Sequence, residues 1–136
     1  MYQSRIAGLG MYVPENVVTN EDLTKVMETS HDWIVERTGI HERRHIEKGD
    51  GNTTAIMGVK AAKTAIERAE INKDDIDLIL FATLSPDYYF PGSGVLVQEA
   101  LGIENCTAMD IRNQCSGFIY ALSTADQFIK TGMYNN

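Results

Sequence analysis

The fold is decided by one stretch of the chain, TAMDIRNQCSGFIYAL at residues 107–122. Its first five residues have the length and composition of a strand, and apolar side chains recur at spacings of three and four from Phe118 onward. A short strand, a polar turn and an amphipathic helix therefore follow one another. This order is typical of α/β proteins, in which strands alternate with helices and pair mainly in parallel.

Two further strands and four further helices are predicted on the N-terminal side of this stretch. Residues 5–13 are predicted to form a strand that contains two glycines, which indicates that another element packs closely against its backbone. Residues 78–84 are a continuous apolar run, as a strand covered on both faces requires. The charged stretch 40–52 is interpreted as an exposed hairpin or loop. N-cap residues and glycine terminators predict helices over 19–27, 30–39, 53–69 and 94–101.

Composition excludes several classes of protein. The 136 residues contain 12 Lys and Arg against 19 Asp and Glu, a net charge of −7, which argues against nonspecific nucleic-acid binding. No apolar run is long enough to span a membrane, and the N-terminus lacks the order of a secretion signal. Two cysteines cannot form a disulfide framework. We therefore expect a cytoplasmic protein with no membrane or nucleic-acid partner.

The candidate nucleophile is Cys115, which lies in the polar turn just before the last helix. Unpaired backbone N–H groups and the positive end of the helix dipole favour thiolate over thiol at such a position, and thiolate is the nucleophile. A backbone N–H in the same turn could also hold the oxyanion formed when a thioester carbonyl is attacked. The same pattern also fits a small buried hydrophobic residue, because free cysteines most often have that role.

The other cysteine and the histidines do not complete a site in the sequence. Cys106 precedes a strand without polar neighbours that would suggest chemistry, so we interpret it as structural. His41 and His45 have helical metal-ligand spacing, but they lie with His31 in or beside the charged stretch, without cysteine or acidic partners at suitable positions. We therefore predict no metal site, and no general base for Cys115 is visible in this chain.

A second group of candidate residues would bind substrate. Trp33 and Arg37 are four residues apart on one predicted helix, so an aromatic ring and a guanidinium could together hold a planar heterocycle and a phosphate. The same pair fits a partly buried tryptophan covered by its neighbour. Phe90 precedes Pro91 ahead of a helix and fits either an apolar pocket or the core.

Taken together, the chain resembles the β-ketoacyl-acyl-carrier-protein synthase III family of condensing enzymes, which have a thiolase-like fold. The resemblance runs from Ile6 to Gly132. Three ordered motifs at consistent separations are far more specific than any one of them alone. The first is DWIVERTGI at residues 32–40, followed by Glu42 and Arg43. The second is Ala82-Thr83 with Pro86-Asp87 and Phe90-Pro91, and the third is CSGF at residues 115–118 with YAL at residues 120–122.

The resemblance implies a fold and an activity. The fold would be the N-terminal half of a layered αβαβα arrangement, with residues 1–136 truncated before the C-terminal half. Cys115 would take an acyl group from acyl-coenzyme A, and malonyl-acyl carrier protein would then lose carbon dioxide and attack the thioester. Thr29, Trp33 and Arg37 would contact coenzyme A, which is a substrate, so that no separate cofactor is required. Phe90 would belong to the acyl pocket of a full-length homodimer.

The chain departs from the family pattern beside the nucleophile. Asn113, Gln114 and Ser116 stand where the family commonly has small apolar residues, so the acetyl starter is not assured and a related condensation is an alternative. A relative of 3-hydroxy-3-methylglutaryl-coenzyme A synthase and a specialised-metabolite ketosynthase are two such alternatives. A non-catalytic half-fold that pairs with another chain is a third. The family's catalytic His and Asn lie in its second half, so we expect residues 1–136 alone to be inactive in condensation.

Overall fold

The computed structural model describes residues 2–136 and divides them into two compact units. One unit comprises residues 13–52, and the other comprises residues 2–12 together with 53–136. Each unit has its own two-stranded sheet. The helices and strands are β1 (Asn16–Thr19), α1 (Asn20–Thr24), α2 (His31–Thr38), β2 (Glu42–His45), α3 (Thr54–Ala69), β3 (Leu78–Ala82), α4 (Ser93–Leu101), β4 (Thr107–Ile111) and α5 (Gly117–Thr131).

In the smaller unit, side-chain caps define both helices. Thr19 and Asp22 form a reciprocal capping box at the start of α1, and Ser30 accepts the Trp33 N–H at the start of α2. Gly39 ends α2 in the left-handed conformation, with φ at 69°. These caps confirm the predicted starts of both helices. The predicted end of the first is wrong, because after Thr24 the chain continues as a turn.

The stretch predicted to be an exposed hairpin or loop contains a strand. β2 pairs antiparallel with β1, with Asn16 opposite His45 and Thr19 opposite Glu42. Its four residues are charged or polar, so no apolar alternation marks it in the sequence. The prediction of mainly parallel pairing is therefore corrected for this unit.

The larger unit contains the parallel pair that the sequence predicts. β3 pairs in parallel with β4, so that Leu78 lies opposite Thr107 and Ala82 opposite Ile111. Helices α3 and α4 cover this pair, and their buried side chains form the core with the partly buried Phe81 of β3. The buried members of this cluster are Ala55, Val59 and Val97.

The predicted strand at residues 5–13 is not formed. Within residues 2–136 this segment has no assigned strand structure, although its glycines have the predicted packing role. A Cβ atom on Gly10 would lie 1.9 Å from the carbonyl oxygen of Ala61, and one on Gly8 would lie 2.2 Å from that of Ala65. The segment therefore contacts the backbone of α3 directly. Without a neighbouring strand among the described residues, it has no ladder of hydrogen bonds.

No helix among the described residues is both long and apolar enough to cross a membrane.

Candidate functional site

Cys115 is an exposed residue in the turn between β4 and α5. The turn is closed by the Gly117 N–H, which donates to the Gln114 carbonyl at 3.0 Å. Ser116 is the N-cap of α5, and within the described chain its side chain makes no capping hydrogen bond. The structure therefore places the thiol in the predicted strand–turn–helix context, at a helix start that no side chain caps.

The polar residues before the cysteine do not all face outward. The Asn113 side-chain oxygen accepts the backbone N–H of Gln114 at 2.8 Å, so this amide stabilises the turn itself. Gln114 is exposed beside Cys115. Of these two departures from the family pattern, Asn113 has a local structural role in shaping the turn.

Cys106 has a different environment from Cys115. It is partly buried ahead of β4, and its backbone carbonyl accepts a hydrogen bond from the Gln98 side chain at 3.2 Å. Burial, with the negative charge of Asp77 as a smaller cause, raises the pKa of the Cys106 thiol. A raised pKa reduces the thiolate fraction, which fits the prediction that this cysteine is structural.

Trp33 and Arg37 form the predicted pair on α2. The guanidinium carbon of Arg37 lies 4.6 Å from the centre of the Trp33 ring, and the ring is 53% exposed. One face of the tryptophan is thus covered by a cation, while half of the side chain remains accessible. The same geometry also matches the alternative stated above, a partly buried tryptophan covered by its neighbour, so the contact by itself is compatible with both interpretations.

Thr29 lines a groove beside this pair. The groove has a volume of about 330 Å³ and is bordered by residues 27–30 and Trp33. The Thr29 hydroxyl is buried and, among residues 2–136, has no hydrogen-bond partner. Leaving a buried hydroxyl unpaired costs about 1–3 kcal/mol, so the group has an unused capacity to bind a ligand.

Two other arginines of the smaller unit, Arg43 and Arg44, are held by hydrogen bonds within that unit. Arg43 donates to the side-chain oxygen of the buried Asn20 at 2.7 Å and to the Val18 carbonyl at 3.2 Å. Arg44 donates to the Glu15 carbonyl at 3.1 Å. Both guanidinium groups therefore support the pairing of β1 with β2. Arg37, whose guanidinium lies 3.5 Å from a carboxylate oxygen of Glu36, is more exposed than Arg44.

The histidines do not gather into a metal site. The rings of His31 and His41 lie 5.6 Å apart, and His31 Nδ1 is 3.2 Å from a carboxylate oxygen of Glu21. Within residues 2–136, no group of three or more His, Cys, Asp or Glu side chains could hold a metal ion.

Phe90 lies in the larger unit, as does Cys115. Its side chain is 88% exposed, on a segment that links β3 to α4. The alternative that Phe90 is a core residue is therefore wrong for the described chain. Thr29, Trp33 and Arg37 belong to the smaller unit. The predicted site residues therefore fall into two groups, one in each unit.

Asp110 and Arg112 make contacts that were not predicted from the sequence. Asp110 accepts the backbone N–H groups of Ser93 and Gly94 at 2.8 and 2.7 Å. Arg112 donates to the Tyr89 carbonyl. The sequence does indicate that Asp110 has partners, because a carboxylate within a mostly apolar strand requires hydrogen-bond donors. No such signal identifies the partner of Arg112, which lies 23 residues away.

Comparison with known proteins supports the resemblance. A family model of 3-oxoacyl-acyl-carrier-protein (ACP) synthase III matches residues 109–136, the stretch that contains the end of β4, Cys115 and α5. The β-ketoacyl-acyl-carrier-protein synthase III 1 of Bacillus cereus is 53% identical over 131 residues. That match covers 96% of this chain and 42% of the relative, so the chain spans about two fifths of the curated relatives' length.

Solved structures agree with this comparison. The crystal structure of 3-oxoacyl-acyl-carrier-protein synthase III from Aquifex aeolicus has a TM-score of 0.91 and 45% identity, covering 98% of this chain and 42% of that one. The priming β-ketosynthase of the R1128 polyketide pathway has a TM-score of 0.92 and 32% identity, covering 98% of this chain and 39% of that one.

These similarities establish the fold class of the chain. The chain has the mixed α/β structure of thiolase-like proteins, with a cysteine between a strand and the helix that follows. Within that class, it is similar along nearly its whole length to β-ketoacyl-acyl-carrier-protein synthase III, which confirms the resemblance stated from its motifs.

Proposed function

We propose that this chain is the nucleophile-bearing part of a 3-oxoacyl-acyl-carrier-protein synthase III that acts in the cytoplasm in fatty-acid biosynthesis. The observation that carries the proposal is the exposed Cys115 at the uncapped start of α5, within the stretch that the family model matches. A nucleophilic cysteine needs access to its substrate and a positive local environment, and this position offers both.

The first half-reaction would be acyl transfer to Cys115. The thiolate attacks the carbonyl carbon of acyl-coenzyme A, and a new C–S bond forms as the oxygen becomes negatively charged. Backbone N–H groups at the start of α5 would stabilise that oxyanion. The bond to the coenzyme A sulfur then breaks, and the leaving thiolate takes a proton.

The second half-reaction would use malonyl-acyl carrier protein. Loss of carbon dioxide from the malonyl group leaves a carbanion equivalent, which attacks the thioester on Cys115. The cysteine thiolate is released and a 3-oxoacyl product forms. Since this step requires donors for the developing enolate, we assign it to the full-length enzyme, which we propose is a homodimer.

Coenzyme A would bind to the smaller unit. The open face of Trp33 would stack on the adenine, and Arg37 would pair with phosphate. The Thr29 hydroxyl would reach the nucleotide after rotation of its side chain, which would give this buried group a partner. Phe90 would border the acyl group, for which its exposed ring is suited.

A second candidate is a priming ketosynthase of specialised metabolism. It is favoured by the similarity to the R1128 priming enzyme and by the exposed, polar Gln114 beside the nucleophile. Both candidates use a cysteine thioester and differ in the acyl group that the cysteine accepts.

The test is acylation of the purified chain. We expect incubation with acetyl-coenzyme A to add one acetyl mass to the protein, with peptide mapping placing it on Cys115. Cys115→Ser should abolish the adduct, whereas Cys106→Ser should leave it unchanged, because burial raises the pKa of the Cys106 thiol. An adduct that survives in Cys115→Ser, or no adduct with any acyl-coenzyme A, would contradict the proposed role.

A further inference from the structure

The segment between β3 and α4 is held at its beginning through the Ser85 carbonyl, and in its middle through the carboxylate and the backbone N–H of Asp87. The Thr54 hydroxyl donates to the Ser85 carbonyl at 2.6 Å. Asp87 accepts the backbone N–H of Ala55 at 2.8 Å, and its own N–H donates to the Ser93 hydroxyl at 3.3 Å. These contacts attach the segment to the start of α3 and to the start of α4.

The remaining contacts come from the strand that leads to Cys115. Both carboxylate oxygens of Asp110 accept backbone N–H groups, from Ser93 at 2.8 Å and Gly94 at 2.7 Å. Two residues further on, Arg112 donates to the Tyr89 carbonyl at 2.5 Å. Its guanidinium carbon also lies 4.6 Å from the centre of the Tyr89 ring. Hydrogen bonds of charged groups are the stronger kind, so these two side chains restrain the segment on both sides of Phe90.

The side chains of this restrained segment nevertheless project outward. Tyr88 is 61% exposed, and Tyr89 and Phe90 are each 88% exposed. Large aromatic side chains are usually at least partly buried, and here three in succession remain accessible while their backbone is fixed. A fixed backbone with exposed aromatic rings is the arrangement required to present those rings to a ligand in a defined position.

We propose that Asp110 and Arg112 are positioning residues, which fix the place of Tyr89 and Phe90 relative to the strand that carries Cys115. This inference rests on one part of the proposed function, namely that Phe90 borders the acyl group. On that basis, Arg112 influences which acyl group Cys115 accepts without touching that group. Arg112 is also the more informative residue to change, because Asp110 caps α4 as well.

The first test measures the position of the segment by amide hydrogen exchange. In Arg112→Gln, which loses the charge and the stacking, we expect the amides of residues 87–90, 92 and 93 to exchange about fivefold faster than in the wild type. Arg112→Lys should restore much of the protection, because it keeps a charged donor. Arg68→Gln is the matched control, since Arg68 donates to the Leu9 carbonyl at 2.9 Å, away from this segment. Unchanged exchange in Arg112→Gln would overturn the proposal.

The second test measures acyl selection at Cys115. The ratio of the adducts formed from acetyl- and hexanoyl-coenzyme A should change by about threefold or more in Arg112→Gln and return in Arg112→Lys. Faster exchange with an unaltered ratio would overturn the influence on acyl selection. Absence of an adduct in the wild type would contradict the proposed function instead, and the exchange result would still decide the positioning role.

Discussion

Gly8 and Gly10 show how single residues decide the packing of the N-terminal segment. Their Cα atoms lie so close to α3 that a Cβ atom on either would overlap a backbone carbonyl oxygen. Backbone atoms cannot rotate away as the end of a flexible side chain can, so these positions require glycine for steric reasons.

We therefore expect Gly10→Ala to destabilise the larger unit by about 2 kcal/mol or more, because the segment or α3 must move to admit the methyl group. Thermal or denaturant unfolding measures this loss. Gly117→Ala is a suitable control, since its added Cβ would lie 3.5 Å from the nearest atom, the Cβ of Ala82, which is ordinary van der Waals contact. Equal stability of Gly10→Ala and the wild type would show that the segment does not pack on α3 as described.

The two cysteines also differ at the scale of single residues. Both are free thiols, and the distinction between them depends on their surroundings: Cys115 is exposed before a helix, and Cys106 is partly buried near Asp77. The sequence predicted the position of Cys115 because a strand, a turn and a helix follow one another locally. The sequence contains no pattern that reveals the influence of the Asp77 charge on Cys106.

At the scale of elements, helix α1 is a five-residue helix whose start is stabilised by charge. A hydrogen bond from Lys25 is the main cause that lowers the pKa of Asp22 well below its usual value of 3.8, with further hydrogen bonds from Thr19. A lowered pKa in the folded state means that ionised Asp22 stabilises the fold. This stabilisation is present above the ordinary pKa and is lost as the pH falls below it.

The pH dependence of this capping box can be measured. The melting temperature of the wild type should exceed that of Asp22→Asn at about pH 7, and the difference should shrink progressively as the pH falls below about 4. Lys25→Met should reduce the difference at neutral pH, because the leading cause of the lowered pKa is removed. A difference that is independent of pH, or one that grows in acid, would contradict the assignment.

At the scale of the whole molecule, the larger unit exposes an apolar surface on α5. Phe118, Ile119 and Leu122 are 68%, 60% and 42% exposed. Beside them lies a groove of about 590 Å³, bordered by residues 4–8 and one side of α5. An extended apolar surface of this kind favours association in water.

We expect the purified 136-residue chain to self-associate, with a sedimentation coefficient that rises with protein concentration. Ile119→Lys should reduce the association, since it places a charge within the apolar surface. Val26→Lys is the matched control, because Val26 is 76% exposed in the smaller unit. A chain that stays monomeric at every concentration, or equal effects of both variants, would contradict this expectation.

The sequence by itself determined three of the helix starts and several of the helix ends. Thr19, Ser30 and Thr53 cap the starts of α1, α2 and α3 as predicted, and Gly39 and Gly102 end α2 and α4. These features depend on hydrogen bonds and backbone conformations within about four residues, so they can be predicted from residues that are adjacent in the sequence. The apolar run that forms β3 and the turn that holds Cys115 are local in the same sense.

Only the tertiary structure decided the contacts between residues far apart in the chain. It paired the charged β2 with β1, left residues 5–13 without a strand, and placed Asp110 and Arg112 against the segment that carries Phe90. The physical reason is that strand pairing and side-chain hydrogen bonds of this kind depend on which surfaces meet in space. No spacing within either partner's own stretch of sequence specifies the other partner.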